Sequence, residues 1–211
     1  EVWGEITDIP VIVTGHATSE RFHAGVKPAW LGFEYLLYAG SRDHYKNFPP
    51  LLTAYARSWA PKAGVRLVAV GGGDFTAEER AQAEALGVAD VVVQTTVAEA
   101  ELPGYYRGAA AFIFPSLSEG FGIPVLEAMS VGTPTVLSDI TVFREVAADA
   151  AMFFTPDDAD ALVTCIDRLL GDPPLRDRLR AAGLARATEF SWETTAHTTA
   201  DLYRQLVETH S

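Results

Sequence analysis

The strongest constraint on this chain is the regular alternation of short apolar runs with amphipathic stretches. The runs predicted to be strands are 35–39, 65–70, one that begins at 91–93, 110–114, 134–137 and 151–154. Near-continuous apolar strands are typical of a parallel sheet covered on both faces, and strands that alternate with helices indicate βαβ units. The sequence therefore predicts an α/β fold built on a doubly wound parallel sheet.

Helices are predicted between these strands and again after the last one. Within the alternating region they cover 49–58, 76–86, 102–107 and a stretch from near Pro124 to just before Gly132. Thr76 and Glu79 have the spacing of a capping box, which marks a helix start. Beyond residue 154 the pattern is only helical, over about 158–170, 174–187 and 192–208. It predicts a helical C-terminal tail, and residues 9–13 are a candidate edge strand.

Charge and cysteine content exclude several classes of protein. The 28 acidic residues outnumber the 16 basic ones, and the net charge of −12 argues against a general nucleic-acid binder. The single cysteine, Cys165, excludes an intrachain disulfide framework and a cysteine zinc site. No apolar run approaches the roughly 20 residues that span a bilayer, and no signal peptide is visible. Because position 1 is Glu, we expect a processed chain or an excised piece of a longer one.

The stretch most informative about chemistry is 115–134, PSLSEGFGIPVLEAMSVGTP. Glu119 falls in a loop after the fourth predicted strand, and Glu127 in the first turn or so of the next helix. Ligands of open α/β sheets bind at this carboxyl edge, and free N–H groups at a helix start favour an anion. Gly120 and Gly122 let a ligand approach the backbone. The pattern fits a diphosphate flanked by carboxylates, and it equally fits a tight turn with two solvated glutamates.

A second candidate is the loop 40–47, GSRDHYKN, after the first predicted strand. Arg42 and Lys46 lie in this loop, again at the carboxyl edge of the predicted sheet. Two cations near a helix start could neutralise a diphosphate without a divalent metal. The alternative is a solvated basic loop.

Other features have simpler explanations. Asp158 and Asp160 have the D-x-D spacing of some metal–diphosphate sites, but they directly precede an apolar helical pattern, which predicts a helix cap. Residues 71–73, three glycines, lack G-x-G-x-x-G spacing and are predicted to be a turn. The five histidines have no metal-ligand spacing, and Cys165 falls at a buried helical position. We therefore expect no metal site.

The run EGFGIPVLEAMSVGTP, from Glu119 to Pro134, resembles the two-glutamate motif of retaining group 1 glycosyltransferases of the GT-B fold. Neighbouring stretches agree with this resemblance. Residues 101–116 are similar to the helix and strand before the motif, 139–162 to the segment after it, and 190–196 to a late Ser/Thr-Trp helix start. The resemblance covers about residues 35–207 and implies a Rossmann-like sheet, the C-terminal half of a GT-B fold.

The resemblance also implies roles for individual residues. Glu127 would bind the nucleotide ribose, and Glu119 would contact the donor sugar. Glu119, Lys46 and Arg42 are the implied catalytic residues, with Arg42 one position later than the family's usual arginine. The implied donor-binding set is Glu127, Gly120, Phe121, Gly122, Ile123 and Val97. Thr95 stands where relatives carry Gly, beside the base, so the identity of the base stays open.

As a member of this family, the chain would be the nucleotide-sugar-binding half of a hexosyltransferase. The implied domains are 1–30, a linker or edge segment from a missing N-terminal domain; 31–190, the donor-binding domain; and 191–211, the C-terminal helix. The implied donor is a nucleotide diphosphate sugar, GDP-mannose or a UDP-sugar, used without a metal or other cofactor. The acceptor, a glycan, lipid-linked sugar or small molecule, would need the missing N-terminal GT-B domain, so we expect the chain alone to be inactive.

The resemblance implies a cytoplasmic location, with any peripheral membrane contact made by the missing domain. Two further interpretations stay open at this stage. One is a non-catalytic nucleotide-binding or interaction module with the same architecture. The other is a nucleotide-sugar epimerase or a sugar phosphorylase, although a phosphorylase needs a pyridoxal-phosphate lysine and the sequence shows no convincing candidate.

Overall fold

A computed structural model of the protein describes residues 14–209. The chain divides into two compact units. The larger unit is Thr18–Glu189, and the smaller unit comprises the two ends of the chain, Glu1–Ala17 and Phe190–Ser211. The candidate edge strand at 9–13 lies outside the described residues.

The larger unit is built on six parallel strands. They are β1 (Tyr35–Ala39), β2 (Arg66–Val70), β3 (Val92–Thr95), β4 (Ala111–Phe114), β5 (Thr135–Ser138) and β6 (Met152–Phe154). Their order in the sheet is β3-β2-β1-β4-β5-β6, and every neighbouring pair is parallel. The chain thus winds outward from β1 to one side and then from β4 to the other, which confirms the predicted doubly wound, Rossmann-like α/β fold.

Residues 14–209 form eight α-helices, of which the last belongs to the smaller unit. They are α1 (Phe48–Arg57), α2 (Ala77–Ala85), α3 (Leu102–Gly108), α4 (Ile123–Ser130), α5 (Thr141–Ala147), α6 (Ala159–Gly171), α7 (Pro173–Ala187) and α8 (Trp192–Thr209). One group, α1, α2 and α6, packs together, and α4 packs against α3, α5 and α7. Right-handed crossovers that run to opposite sides of the sheet place helices on both of its faces. The central strands β1, β4 and β5 are therefore covered on both faces and buried along their whole length.

The predicted elements agree with the structure to within one or two residues at most ends, but α5 has no predicted counterpart. Its sequence, TVFREVA, contains β-branched residues that disfavour a helix, and no side chain caps its start. The helix forms because Phe143 and Val146 are buried in the core. Tertiary packing thus overrides weak local propensity.

Two predicted helix starts are confirmed at the level of their hydrogen bonds. Thr76 Oγ1 accepts from the Glu79 N–H at 3.1 Å, and the Glu79 carboxylate accepts from the Thr76 N–H at 2.8 Å. Asp158 Oδ1 accepts from the Ala161 N–H at 2.9 Å. The D-x-D stretch therefore begins α6 as a cap, as its position before an apolar helical pattern indicates.

In the smaller unit, α8 confirms the predicted C-terminal helix. Ser191 Oγ accepts from the Thr194 N–H at 3.0 Å, which caps the start of this helix. The His16 ring meets the Trp192 ring edge-on, with 5.5 Å between their centroids. Within residues 14–209, the helices are all too short or too polar to cross a bilayer.

Candidate functional site

The candidate site lies where β1 and β4 end, at the point where the sheet order reverses. Open α/β sheets bind ligands in the crevice at such a point. The loop after β1, residues 40–47, faces the loop after β4, residues 115–122. The Leu117 N–H donates to the Tyr45 carbonyl at 2.8 Å, so a backbone hydrogen bond joins the two loops. Both motifs singled out in the sequence therefore meet at one edge of the sheet.

Lys46 and Glu119 form the centre of this site. Lys46 Nζ donates to Glu119 Oε1 at 2.7 Å, and each side chain is only 12% exposed. Lys46 Nζ also lies 5.1 Å from the ring centroids of Tyr45 and Phe114. Aromatic faces stabilise a nearby cation, so the ammonium group is held between a carboxylate and two rings at the mouth of the crevice.

A short 3₁₀ turn, His44–Lys46, places Lys46 at the crevice. The Lys46 N–H donates to the Asp43 carbonyl at 2.8 Å. Asn47 ends the turn in the left-handed region, at φ 58°, which Asn tolerates better than most residues. The predicted prolines follow in the first turn of α1, so the loop is defined at both ends.

Arg42 lies in the same loop, and its side chain contacts the loop after β2. Its Nε donates to Glu79 Oε1 at 2.8 Å, and Nη1 donates to the Gly71 carbonyl at 2.8 Å. Nη2 donates to the carbonyls of Gly73 and Asp74, each at 2.9 Å. The Arg42 and Glu79 side chains are 4% and 9% exposed. Arg42 and Lys46 thus share a loop, and each forms an ion pair with a different carboxylate, Arg42 with Glu79 and Lys46 with Glu119.

The glycine turn 71–73 is shaped to receive Arg42. All three glycines have positive φ, and a Cβ on Gly72 would lie 2.7 Å from Arg42 Nη1. The Arg42 guanidinium also stacks 4.9 Å from the Phe75 ring centroid. The predicted turn is confirmed, and in addition it holds a buried arginine, which the sequence pattern did not indicate.

The start of α4 provides the predicted backbone site. Gly122 precedes the helix with φ 93°, and a Cβ there would lie 3.0 Å from a Phe143 ring carbon. Glycine is therefore required on both conformational and steric grounds. A Cβ on Gly120, in contrast, would meet nothing within 4 Å. Ile123 begins the helix, is 40% exposed, and is followed by Pro124 at the second position rather than the predicted first.

Glu127 is the fifth residue of α4, one position further into the helix than a start at Pro124 predicts. Its Oε2 accepts a hydrogen bond from the Tyr106 hydroxyl at 2.9 Å. Burial raises the pKa of Glu127 to about 7; the Tyr106 hydrogen bond opposes this shift, and the charge of Glu99 adds to it. Burial also raises the pKa of Tyr106. The carboxyl thus changes charge near neutral pH.

The proposed base contact lies beyond β3, the edge strand of the sheet. Val97 is half-buried in the loop that follows, and Thr95 is the last residue of β3. The Thr95 carbonyl accepts from the Gly71 N–H at 3.1 Å. The loops after β1, β2 and β3 are therefore linked through Arg42 and Gly71.

Residues 14–209 contain no group of three or more His, Cys, Asp or Glu arranged to hold a metal ion. Cys165 is buried in α6, and its pKa is raised by burial.

Sequence reasoning missed two residues that support this site, Glu79 and Tyr106. Glu79 was identified only as a capping residue, although its second carboxylate oxygen holds Arg42. Tyr106 lies in a stretch noted only for its resemblance, YYRGAAAF. Neither role has a local signal, because each partner is distant in the chain.

The chain is similar in sequence to known proteins. A family model described as Glycosyl transferases group 1 matches residues 26–186. O-antigen chain mannosyltransferase B from Escherichia coli is 35% identical over 181 residues, which are 84% of this chain and 47% of that protein. MMP alpha-(1->4)-mannosyltransferase from Mycolicibacterium hassiacum is 36% identical over 127 residues, 58% of this chain and 31% of that protein. The chain thus spans half or less of the length of these relatives.

Solved structures give the same picture of the fold. Sucrose-phosphate synthase from Thermosynechococcus elongatus is 29% identical with a TM-score of 0.73, over 84% of this chain and 46% of that one. Anabaena HepE, solved in complex with UDP and glucose, is 19% identical with a TM-score of 0.73, over 81% of this chain and 48% of that one. The second likeness bears on the fold alone.

Proposed function

Because the chain belongs to the group 1 glycosyl transferases, we propose that it is the donor-binding half of a retaining hexosyltransferase with GT-B architecture. Its donor is a nucleotide diphosphate sugar. The other half of the enzyme, N-terminal to this one, supplies most of the acceptor site. The acceptor is a glycan, a lipid-linked sugar or a small molecule, and the enzyme works in the cytoplasm.

The observation that carries this proposal is the pairing of Lys46 with Glu119 beside the start of α4. Their loops come from different strands, yet Nζ and Oε1 are 2.7 Å apart and mostly buried. An ammonium group has three N–H donors. Lys46 can therefore donate one hydrogen bond to Glu119 and the others to the oxygens of a diphosphate. Glu119, once a sugar enters, accepts hydrogen bonds from its hydroxyls. A cation and a carboxylate thus serve the two halves of one ligand.

In the proposed reaction, the bond between the anomeric carbon and the diphosphate oxygen breaks, and its electron pair leaves with the diphosphate. The acceptor hydroxyl forms the new bond on the same face, and its proton passes to the departing phosphate oxygen. Lys46 stabilises the negative charge that develops on this oxygen. The positive end of α4, at Ile123, adds to that stabilisation.

Glu127 has the position and chemistry to bind the ribose. Its carboxylate lies one turn along α4 from the proposed diphosphate site and already accepts one hydrogen bond, from Tyr106. Ribose hydroxyls donate best to the ionised form. Because the pKa of Glu127 lies at about 7, we expect donor affinity to rise as the pH is raised toward and past that value.

Mannose is the favoured sugar, and GDP-mannose the favoured donor over a UDP-sugar. Two of the relatives above are mannosyltransferases by name. Thr95, the last residue of β3, narrows the space for the base, because a β-branched side chain occupies more volume than glycine.

Isothermal titration calorimetry of this chain against GDP-mannose, GDP, UDP and ADP, with and without EDTA, tests the proposal. We expect one base to be preferred, EDTA to have no effect, and Glu127→Ala to weaken binding about tenfold or more, since it removes hydrogen bonds to a charged group. Glu145→Ala, an exposed glutamate on α5, is the matched control. Equal affinity in both variants would contradict the ribose assignment.

The isolated chain should transfer no sugar, because it lacks most of the acceptor site. Mixing it with the N-terminal half of its own reading frame should restore transfer. If the chain binds a nucleotide but the mixture stays inactive, it is a nucleotide-binding interaction module instead. Transfer by the isolated chain, at a rate comparable with a two-domain relative, would contradict its assignment as a donor-binding half.

A further inference from the structure

A second cavity lies at the opposite, amino-terminal edge of the sheet. It has a volume of about 360 Å³ and lies beside Glu34, just before β1, and Ala110, just before β4. Its walls include five charged side chains and one aromatic ring: Trp30, Glu34, Arg107, Arg176, Asp177 and Arg180. Parallel strands place their amino and carboxyl ends at opposite edges of a sheet, so this cavity is separate from the candidate donor site.

Two of the arginines lie together without a carboxylate between them. A Cβ on Gly132 would lie 3.1 Å from Arg107 Nη1 and 3.2 Å from Arg180 Cγ, so both side chains surround the same glycine. Burial and the charge of Arg180 together lower the pKa of Arg107. Like charges so close repel each other, and in a chain of net charge −12 such a cluster is unexpected.

These two arginines have few acceptors within residues 14–209. Among residues 14–209, Arg180 has no hydrogen bond or ion pair, and its buried Nε is without an acceptor. Arg107 has one long hydrogen bond, 3.5 Å, to the Gly132 carbonyl. The third arginine, Arg176, pairs loosely with Glu34 at 3.5 Å. Buried donors without acceptors are costly, and an oxyanion bound between Arg107 and Arg180 would satisfy them.

The cavity has room for more than the anion itself. The exposed Trp30 side chain, 77% exposed, forms part of its wall and offers a flat apolar face. Two guanidinium groups together provide more donors than the two oxygens of a carboxylate accept, whereas the three terminal oxygens of a phosphomonoester match them. We propose that this cavity binds a small phosphorylated molecule, with its phosphate between Arg107 and Arg180 and its attached group against Trp30.

Calorimetry with phenyl phosphate tests this site, since the probe has a phosphate and a ring but no ribose or base. We expect saturable binding, weakened about tenfold or more by Arg180→Gln, because a charge-assisted hydrogen bond is lost. Arg178→Gln, which alters an exposed arginine on the same helix, and Lys46→Ala, at the other edge, should leave binding unchanged. Trp30→Ala should weaken phenyl phosphate but not inorganic phosphate.

Several results would overturn the proposal. One is that phenyl phosphate shows no saturable binding to the wild type. Another is that Arg178→Gln weakens binding as much as Arg180→Gln does. A third is that benzoate binds as tightly as phenyl phosphate. Loss in Lys46→Ala but not Arg180→Gln would place the probe in the donor site. If Arg180→Gln is unfolded, Arg107→Lys replaces it, because it keeps the charge but loses the fork of donors. The outcome is independent of nucleotide binding, so either proposal can fail alone.

Discussion

The cations at the two edges of the sheet have opposite surroundings. At the carboxyl edge, Arg42 makes five hydrogen bonds, one to Glu79 and four to backbone carbonyls, and Lys46 is paired with Glu119. At the amino edge, within the described part of the chain, Arg107 makes one long hydrogen bond, to the Gly132 carbonyl, and Arg180 makes none. Protein acceptors thus satisfy the cations at the carboxyl edge, whereas we propose that a bound anion satisfies the two arginines at the amino edge.

The difference separates two uses of a buried arginine. Arg42 joins its own loop to the loop after β2 and to Glu79 at the start of α2, so its removal should affect folding before it affects binding. Arg180 holds no protein group, so its removal should affect binding before it affects folding. The order of these losses, measured in the same molecule, distinguishes a structural cation from a ligand-binding one.

The largest effect is expected for Arg42→Ala, which should lower the free energy of unfolding by about 3–5 kcal/mol, since it leaves Glu79 buried and unpaired. Urea denaturation measures this change. Arg178→Ala, at an exposed position, should stay within about 0.5 kcal/mol of the wild type. A loss no larger than that control would remove the structural role from Arg42.

The next largest effect is expected for Lys46→Met, at about 2 kcal/mol, less than for a fully buried pair because both side chains retain some exposure. The double variant Lys46→Met with Glu119→Gln should recover part of this loss, because the carboxylate is no longer left unpaired. Lys62→Met, at an exposed lysine, is the control. If the double variant loses as much unfolding free energy as the two single variants lose together, or more, the pairing of Lys46 with Glu119 is contradicted.

A smaller effect is expected from the titration of Glu127. Its pKa in the folded protein, about 7, exceeds its ordinary value of 4.5, so the fold favours the protonated form. Between pH 4.5 and 7 a shift of this size corresponds to about 2–3 kcal/mol at full burial. Because the Glu127 side chain is only half-buried and solvent screens part of the effect, we expect the free energy of unfolding to fall by about 1–2 kcal/mol as the pH rises over this range. Denaturation at several pH values gives the difference in unfolding free energy between the wild type and Glu127→Gln, and the pH dependence of that difference is due to this carboxyl. An unchanged difference across that range would refute the shift.

The smallest effect, and the only gain, is expected for Arg180→Gln without phosphate. Removing one of two neighbouring like charges should raise the free energy of unfolding by up to about 1 kcal/mol. Thermal unfolding at constant ionic strength, in chloride and then in phosphate, gives the comparison. Phosphate should stabilise the wild type and leave the variant unaffected. A variant that phosphate stabilises as much as the wild type would place the anion elsewhere.

The sequence predicted most of the fold because its signals are local. Apolar runs identified the strands, and the Thr76–Glu79 spacing identified the start of α2, since capping partners are three residues apart. It missed α5, whose residues favour a strand and are held helical by burial. It also began α4 one residue too late, at Pro124 instead of Ile123, because a glycine and a proline near a helix start do not determine which residue begins the helix.

The candidate site was predictable as a set of residues but not as an arrangement. Lys46 and Glu119 are 73 positions apart, and Arg42 and Glu79 are 37 apart. Strand order decides which loops meet, and rotamers decide which acceptor each cation reaches. Arg42 and Lys46 share a loop, yet their side chains serve different partners, which no spacing rule distinguishes.

By itself, therefore, the sequence determined the order of strands and helices and the loop motifs at the carboxyl edge, because periodicity, caps and glycines act over a few residues. Only the tertiary structure decided that Arg42 is buried against Glu79, that Lys46 meets Glu119, and that Arg107 and Arg180 lie close together around Gly132. Those pairings depend on electrostatic contacts between segments distant in the chain, and such contacts exist only once the sheet has assembled.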